Sequence, residues 1–353
     1  MEIPTLVKLL RNYSVHYVTG NGDAILSRRN NVCLYHHESA EIEELFSLRH
    51  RRIAHRLLNR GALERLLRLE VSHILELLDG SLIVFFDGRI LKVEDGKITV
   101  DYSIDTCRTP LNVFYDRSRG VLAWGDYVRP REDGHVHIYR SDDLGKSWHN
   151  CFTFDVGQVR HIHNIVFDKF RDHYWILTGD SDAESGIWAS EDLSNVDSVL
   201  HGKQAYRAVS VIPTEEGLII PTDSELQPNF IQFYSHESKE VQQVHPLTGS
   251  ALYAGQVNDW MFVTTAYELS PVNRDKQADL WCSKGGSRWQ LLASFKKDRL
   301  PVKYFRYPVI KIPCYEQHYS QDLYYWSTRS VDAGQNVLIY NDQEITDAWN
   351  EQS

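Results

Sequence analysis

A repeat of short strand-like segments is the feature that most constrains what this chain of 353 residues can fold into. Four of the segments resemble one another and end in serine: 137–141, 186–190, 231–235 and 279–283. Their final serines are 49, 45 and 48 residues apart, and further short apolar segments lie between them. This period, with several strands in each repeat, is typical of β-propeller blades, whereas a helical repeat would show a 3.6-residue apolar period.

The repeat predicts an all-β propeller of six blades over residues 73–345, between an N-terminal segment, 1–72, and a C-terminal tail, 346–353. Residues 13–37 also have the pattern of two strands around a turn, so they would supply a seventh blade or a closing strand. Five blades result if the first unit merges with these N-terminal strands. The six units are 73–101, 109–154, 160–200, 205–247, 251–295 and 304–341.

The N-terminal segment contains a predicted amphipathic helix at 49–70, a short helical insertion into the all-β fold. Apolar residues recur there at helical spacing. The helix either lies on an anionic membrane surface or packs its apolar stripe on the propeller with its arginines in solvent. The seven arginines of the polar face are Arg49, Arg51, Arg52, Arg56, Arg60, Arg65 and Arg68.

The net charge and the composition limit which binding partners and which cellular compartment we expect. The formal net charge of −10 argues against nonspecific binding of nucleic acid, because phosphates would be repelled. The five cysteines are widely spread, as expected for reduced thiols. The first residues do not have the pattern of a signal peptide, and no apolar run is long enough for a membrane span. We therefore expect a cytoplasmic protein, with peripheral contact to the inner membrane face through 49–70.

One turn carries a recognisable motif. Residues 141–148 read Ser-Asp-Asp-Leu-Gly-Lys-Ser-Trp, which fits the pattern S-x-D-x-G-x-[ST]-W at every fixed position. Asp143 is expected to cap backbone N–H groups of the turn, Gly145 to adopt a positive φ, and Trp148 to fold back between sheets. Partial copies begin at Ser190 and Ser283.

Through this motif and the repeat, residues 73–345 resemble the sialidase-like Asp-box β-propellers. The resemblance implies the fold, but Asp boxes face away from the active site and occur in hydrolases, lyases and non-enzymatic propellers. Phe305-Arg306-Tyr307-Pro308 resembles the family's arginine motif, whose arginine binds a substrate carboxylate. In the family that motif precedes the Asp boxes, whereas here it follows them, so either the blade order is circularly shifted or the match is a coincidence.

In several units of the repeat a carboxylate occupies the same position, the end of the second strand. At that position the carboxylates would converge on the central channel. Two carboxylates at a suitable separation are enough to cleave a glycosidic bond, one as acid and one as base or nucleophile. Crowding of like charges would raise the pKa of one of them. Alternatively, each caps its own loop. The candidate catalytic carboxylates are Asp126, Asp180, Asp223 and Glu268.

His161 and His163 are two further catalytic candidates. Residues i and i+2 of a strand point to one face, so both imidazoles would lie on the same side. With Asp180 they could hold a divalent metal, or they could supply a general base or a hydrogen bond to a sugar. The structural alternative is a pair of channel-lining histidines. We otherwise predict no cofactor.

Residues at the starts of first strands, and Arg329, are candidates for substrate binding. Arginine side chains would suit an acidic sugar, because the guanidinium group matches a carboxylate. They could instead pair with the channel carboxylates. The candidates are Arg160, Tyr206, Arg207, Arg306, Tyr307 and Arg329.

The leading hypothesis is therefore a carbohydrate-active enzyme of glycan or polysaccharide metabolism. It would cleave a glycosidic bond as a glycosidase, or transfer a glycosyl group as a glycosyltransferase, on a glycan or sugar-nucleotide substrate that carries an acidic sugar. One alternative is a non-catalytic propeller that binds a glycan or a protein. The other is a lyase for uronic acids, which needs a cluster of histidine, tyrosine and arginine.

Overall fold

The strand-like segments of the sequence form seven β-sheets, and the fold is an all-β, seven-bladed propeller with few helices. The computed structural model describes residues 6–53, 55, 61–67, 69–105, 107, 109–127, 134–273 and 275–351. The second strands of the sheets, such as Val121–Gly125 and Gly217–Pro221, are buried along their whole length. Burial on both faces explains why these strands are continuous apolar runs rather than alternating ones.

The unit Leu75–Leu247 holds four sheets, each of four antiparallel strands in sequence order. The first comprises β1 (His73–Glu76, which starts just before the unit), β2 (Leu82–Phe86), β3 (Arg89–Glu94) and β4 (Lys97–Ser103). The second comprises β5 (Val113–Asp116), β6 (Val121–Gly125), β7 (Val136–Ser141) and β8 (His149–Phe154). The third comprises β9 (His161–Asp168), β10 (His173–Gly179), β11 (Gly186–Ser190) and β12 (Asp197–His201). The fourth comprises β13 (Ile212–Pro213), β14 (Gly217–Pro221), β15 (Phe230–Ser235) and β16 (Val241–Pro246).

The other unit, residues 1–74 and 248–353, holds three sheets. One contains β17 (Ser250–Val257), β18 (Trp260–Ala266), β19 (Gln277–Lys284) and β20 (Gln290–Lys296). The next contains β21 (Ser14–Val18), β22 (Ala24–Arg28), β23 (Asn31–His36) and β24 (Glu41–Ser47), with β25 (Cys314–Tyr315) added in parallel beside β21. The last combines both ends of the chain in the order β26 (Lys8–Arg11), β27 (Asn336–Asn341), β28 (Leu323–Arg329) and β29 (Val309–Lys311).

The prediction of six blades is wrong, and seven, one of the two stated alternatives, is the observed number. The additional sheet is the one built on residues 14–47. Its outer strand, β24, reads Glu-Ile-Glu-Glu-Leu-Phe-Ser and is largely exposed. A strand that buries little apolar surface lacks the periodic signal on which the count of units depended.

The turn at 141–148 has the predicted geometry. The Asp143 carboxylate accepts hydrogen bonds from Ser147 N (2.9 Å) and Ser147 Oγ (2.6 Å), and Gly145 has φ +79°. Gly145 N donates to Ser141 Oγ at 2.9 Å. The Trp148 ring lies 6.4 Å from Phe85, on the neighbouring sheet. The capping, the positive φ and the return of the tryptophan between sheets are thus confirmed for this turn.

Within the described residues, the structure gives the bounds of three short α-helices: α1 (Gly61–Leu67), α2 (Val302–Phe305) and α3 (Asp342–Glu351). Of the predicted helix at 49–70, residues 54, 56–60 and 68 lie outside the described residues, and α1 is its described helix. The expectation that arginines occupy only the solvated face is wrong for Arg65. Arg65 donates to Asp298 Oδ2 at 2.7 Å and to Ser330 Oγ at 2.9 Å, while Leu63 and Leu66 are exposed. Among the described residues, no helix has the length and apolar character that a membrane crossing requires.

We predict that Gly145→Ala destabilises the protein by about 2–4 kcal/mol. Alanine at φ +79° is strained, and its Cβ would also overlap Ile83 Cδ1 on the neighbouring sheet. Urea unfolding followed by tryptophan fluorescence measures the change.

Gly157→Ala is the matched control for this substitution. Gly157 has the same φ of +79°, but an added Cβ would meet nothing within 4 Å. It should lose only the conformational part, about 1 kcal/mol. Equal losses in the two variants would show that the contact with Ile83 carries no energy.

Candidate active site

His161 and His163 lie at the start of β9, as the strand pattern predicts. His161 pairs with Gly179, the last residue of β10, and a register shift follows Ile162. A Cβ at Gly179 would lie only 2.6 Å from His163 Cε1 and 3.1 Å from Arg207 Cγ. Glycine at the end of β10 therefore makes room for the His163 ring.

Asp180 follows Gly179 directly and brings its carboxylate to the histidine pair. The Nε2 atoms of His161 and His163 are 3.0 Å apart, and Asp180 Oδ1 lies 3.2 Å from the first and 3.9 Å from the second. The ligand atoms of the three residues all lie within 4.8 Å of one another. We call His161, His163 and Asp180 the His–Asp cluster. Two imidazole nitrogens and a carboxylate oxygen at this spacing are a donor set that one divalent cation can use.

A second contact orients His163 for this role. Its Nδ1 donates to the carbonyl oxygen of Ala208 at 2.8 Å, which leaves the lone pair on Nε2, the atom inside the cluster. Burial, with the charges of His161 and Arg207 in support, lowers the pKa of His163 to about 3. The neutral imidazole, which is the form that binds metals, is therefore the stable form.

Two arginines complete the charge pattern around Asp180. Arg207 places Nη2 3.4 Å from Asp180 Oδ1 and Nε 3.4 Å from Asp223 Oδ2, and it also reaches Glu225 at 3.6 Å. Arg160, which is half exposed, lies 3.3 Å from Asp180 Oδ2. Burial would raise the pKa of Asp180, but the hydrogen bond and charge of His161 and the charge of Arg207 outweigh it and hold that pKa far below its usual value.

Sequence reasoning missed two residues beside the cluster. The Tyr127 ring lies 4.6 Å from the His161 ring, and the side chain of Gln204 donates to the carbonyl oxygen of Asp180 at 2.7 Å. Tyr127 comes directly after Asp126, at the end of the second strand, the position from which the candidate carboxylates were chosen. A search for aromatic residues at that position would have found it. Gln204 lies in a 3₁₀ turn outside the strand pattern and carried no comparable signal.

The other candidates in this unit have mainly structural contacts. Asp126 accepts a hydrogen bond from His137 N at 3.0 Å, which is the loop-capping alternative. Lys203 Nζ lies over the Tyr206 ring, 5.7 Å from the ring centre, in a cation–π arrangement. Asp223 contacts Arg207, with its Oδ2 3.4 Å from Arg207 Nε. Glu268 belongs to the other unit, so the convergence of the four carboxylates stays a prediction.

Arg306 and Arg329 share one partner, Glu70, in the unit formed by residues 1–74 and 248–353. Arg329 Nη1 lies 3.5 Å from one oxygen of the buried Glu70, and Arg306 Nη2 lies 3.7 Å from the other. Burial would raise the pKa of Glu70, but the charges of Arg329 and Arg306 outweigh it and lower that pKa. Tyr307 follows Arg306 and is half-buried. Glu70, at the end of the predicted helix, was not recognised from the sequence as their partner.

Lys311 is a further cation near this pair. Its Nζ donates to the carbonyl oxygen of Ser72 at 2.9 Å. In the β28–β29 ladder, Lys311 is opposite Ser327, and Arg329 lies two residues further on the same face. Burial, together with the charges of Arg329 and Arg306, lowers the pKa of Lys311 to about 8.

Comparison with solved structures gives the same fold at low identity. An oligogalacturonate lyase in complex with manganese is similar, with a TM-score of 0.59, 12% identity, and coverage of 96% of this chain and 91% of that one. A chain of the mitotic checkpoint complex is similar at 0.58, with 11% identity and coverage of 97% and 95%. No family model and no curated protein sequence matches the chain. At such identities the similarity shows the fold alone, and it includes an enzyme as well as a chain of a mitotic assembly.

We predict that the stability of the wild type relative to Lys311→Met increases between about pH 8 and about pH 10, by up to ~2 kcal/mol. The folded-state pKa of about 8 lies below that of an unfolded chain. Between the two values the unfolded state holds a proton that the folded state lacks, so stability rises with pH. Urea midpoints of both proteins at the two pH values measure the effect.

Lys296→Met, at an exposed position of the same unit, is the control. Its stability difference from the wild type should be small and equal at both pH values. A constant difference for Lys311→Met as well would contradict a lowered pKa at Lys311.

Proposed function

We propose that this protein is a carbohydrate-active lyase that cleaves a glycan beside a uronic acid by elimination. The observation that supports this best is the His–Asp cluster, with the Tyr127 ring 4.6 Å from His161 and two arginines on Asp180. A histidine, a tyrosine and an arginine around one point are the groups that an elimination requires. The carboxylates of Asp180, Asp223 and Glu225 also lie here, but each of them contacts the guanidinium group of Arg207, which does not favour their use as the acid and base of a hydrolase.

The elimination consumes no water molecule. A base removes the proton from C5 of the uronic acid, the electron pair forms the C4–C5 double bond, and the C4–O bond breaks. The departing sugar oxygen takes up a proton. The difficult step is removal of the C5 proton, and its cost falls when positive charge neutralises the neighbouring carboxylate.

The residues of the site divide these tasks. His161, His163 and Asp180 would hold a divalent cation, which would supply the positive charge on the substrate carboxylate. Arg160, which is half exposed, would bind the same carboxylate through its guanidinium group. Tyr127, in ring contact with His161, is our candidate for the group that accepts the C5 proton.

The comparison is consistent with this proposal. A solved oligogalacturonate lyase of the same fold is in complex with manganese. A shared fold does not establish a shared activity. The comparison supports the proposal only by showing that a propeller of this kind can be an enzyme of this class. The donor set of the His–Asp cluster is the independent observation.

Glycosidic hydrolysis and glycosyl transfer receive less support from the geometry. When either reaction uses a pair of carboxylates, one of them must stay protonated near neutral pH. Asp180 has a lowered pKa, and Asp223 is buried beside Arg207. The contact of both with Arg207 instead favours a second candidate, a propeller that binds an acidic glycan without cleaving it.

We predict that the wild type binds Mn²⁺ or Zn²⁺ with 1:1 stoichiometry in isothermal titration calorimetry. His163→Ala should weaken the affinity at least about tenfold, because one of three protein ligands is lost. The matched control is His137→Ala, from the second His-x-His sequence, 135–137. His137 Nδ1 lies 2.8 Å from Thr153 Oγ1, and no donor set for a cation includes His137 among the described residues. Equal affinities for all three proteins would refute the metal site.

We further predict that oligosaccharides containing uronic acids develop the ultraviolet absorbance of a C4–C5 double bond when incubated with the protein and the metal that binds. Tyr127→Phe and Arg160→Met should each lower the rate by 10²-fold or more, on the order of what a proton-transfer group contributes. Tight binding of the same oligosaccharides with no absorbance change would select the non-catalytic candidate. Release of reducing ends without the double bond would select hydrolysis.

A further inference from the structure

Three cationic side chains lie close together in the unit formed by residues 1–74 and 248–353. The guanidinium groups of Arg306 and Arg329 lie against the two oxygens of the Glu70 carboxylate, at 3.7 Å and 3.5 Å. Lys311 lies beside Arg329 on the same face of the β28–β29 pair. We call Arg306, Arg329 and Lys311 the cation triad.

The positive charge of the cation triad is only partly compensated. Arg306 and Arg329 share one carboxylate, that of Glu70. Lys311 has no carboxylate within ion-pair distance in the part of the chain that the structure describes, and its Nζ donates to a backbone carbonyl oxygen. In these contacts three cations face one anion, so positive charge exceeds negative charge by two. Because cations that are largely removed from water are costly without anionic partners, the triad favours the binding of a further anion.

The guanidinium group of Arg329 has donors that a molecule from solvent can reach. It forms no hydrogen bond among the described residues, and its one contact there is the ion pair with Glu70. The side chain is 18% exposed, and its nitrogens are not fully enclosed. The side chain of Arg306, at the other oxygen of Glu70, is 30% exposed. A guanidinium group presents its N–H donors as a planar fork that matches two oxygens of a phosphate or carboxylate group.

Tyr253, on β17, offers a neutral donor near the same two arginines. It is half-buried, and its hydroxyl group forms no hydrogen bond within the described residues. Burial raises the pKa of Tyr253, and the charges of Arg329 and Arg306 oppose that rise, so the phenol lies within electrostatic range of both guanidinium groups. Because the phenol stays protonated, its O–H can donate to an anion held by the cation triad.

The backbone of Arg306 is strained. Arg306 follows α2 directly and has φ 63° and ψ 160°, a conformation that glycine adopts and that other residues adopt only at an energetic cost. Glycine at this position would relieve the strain but would remove the guanidinium group from Glu70. Strain of this kind concentrates at sites that bind ligands or carry out chemistry, which is consistent with a binding role for the cation triad.

We propose that the cation triad binds the dianionic phosphate group of a phosphorylated ligand, with Tyr253 donating one hydrogen bond. An excess of two positive charges matches a phosphate monoester, which carries about −1.5 to −2 charges at pH 7, better than it matches a single carboxylate. Lys311 contributes its charge at pH 7, because a pKa of about 8 leaves it mostly protonated there. The inference does not depend on the proposed function, since no residue of the His–Asp cluster takes part in it.

The test is isothermal titration calorimetry of the full chain with inorganic phosphate at low ionic strength, compared with acetate and galacturonate as monoanionic carboxylates. We expect phosphate to bind with 1:1 stoichiometry and more tightly than either carboxylate. Arg329→Met should weaken phosphate binding at least about tenfold, on the order of what a hydrogen bond to a charged group contributes. The matched control is Arg11→Met, which removes the same charge from an exposed position on β26 and should bind phosphate as the wild type does.

Tyr253→Phe keeps the proposal testable if Arg329→Met does not fold, because it removes only a hydroxyl group. It should weaken phosphate binding by about threefold to tenfold, the loss of one hydrogen bond. Four outcomes would overturn the phosphate site: phosphate does not bind the wild type, neither Arg329→Met nor Tyr253→Phe weakens its binding, Arg11→Met loses as much affinity as Arg329→Met, or a carboxylate binds as tightly as phosphate.

Discussion

One guanidinium group, that of Arg207, determines how the candidate site is arranged. It is largely buried and contacts Asp180, Asp223 and Glu225. A buried cation needs such partners, and removing either side would leave a costly unpaired charge. Because Arg207 helps fix Asp180, it also influences His161 and His163. The position of the histidines, and with it any cation they hold, depends on this ion-pair network between loops that follow different strands.

The sequence was sufficient to predict an all-β propeller, because the buried second strands are apolar runs at a regular spacing. The sheet of residues 14–47 was underestimated, since its exposed outer strand, β24, is mostly polar. Arg65 was assigned to solvent for a related reason. Helical periodicity gives the face on which a residue lies, but not whether a distant carboxylate such as Asp298 meets it there.

In the candidate site, too, some residues were predicted from the sequence and others were not. His161, His163 and Asp180 were predicted together because strand alternation and the repeat phase are local properties. Tyr127 was missed although it follows Asp126 at the same repeat position, whereas Gln204 could not be found, because its contact with Asp180 arises from packing of a 3₁₀ turn outside the strand pattern. The repeat also placed Arg306 and Arg329 with the other candidates, whereas both contact Glu70, a residue outside the repeat.

The last sheet joins the two ends of the chain: Lys8 of β26 is opposite Ile339 of β27. During synthesis, the N-terminal strand therefore waits for a partner made about 330 residues later. At roughly 5–20 residues per second, that wait is on the order of 20–60 s. For this time the nascent protein carries a strand without its final neighbour, a state in which chaperones or a second nascent chain can bind to it.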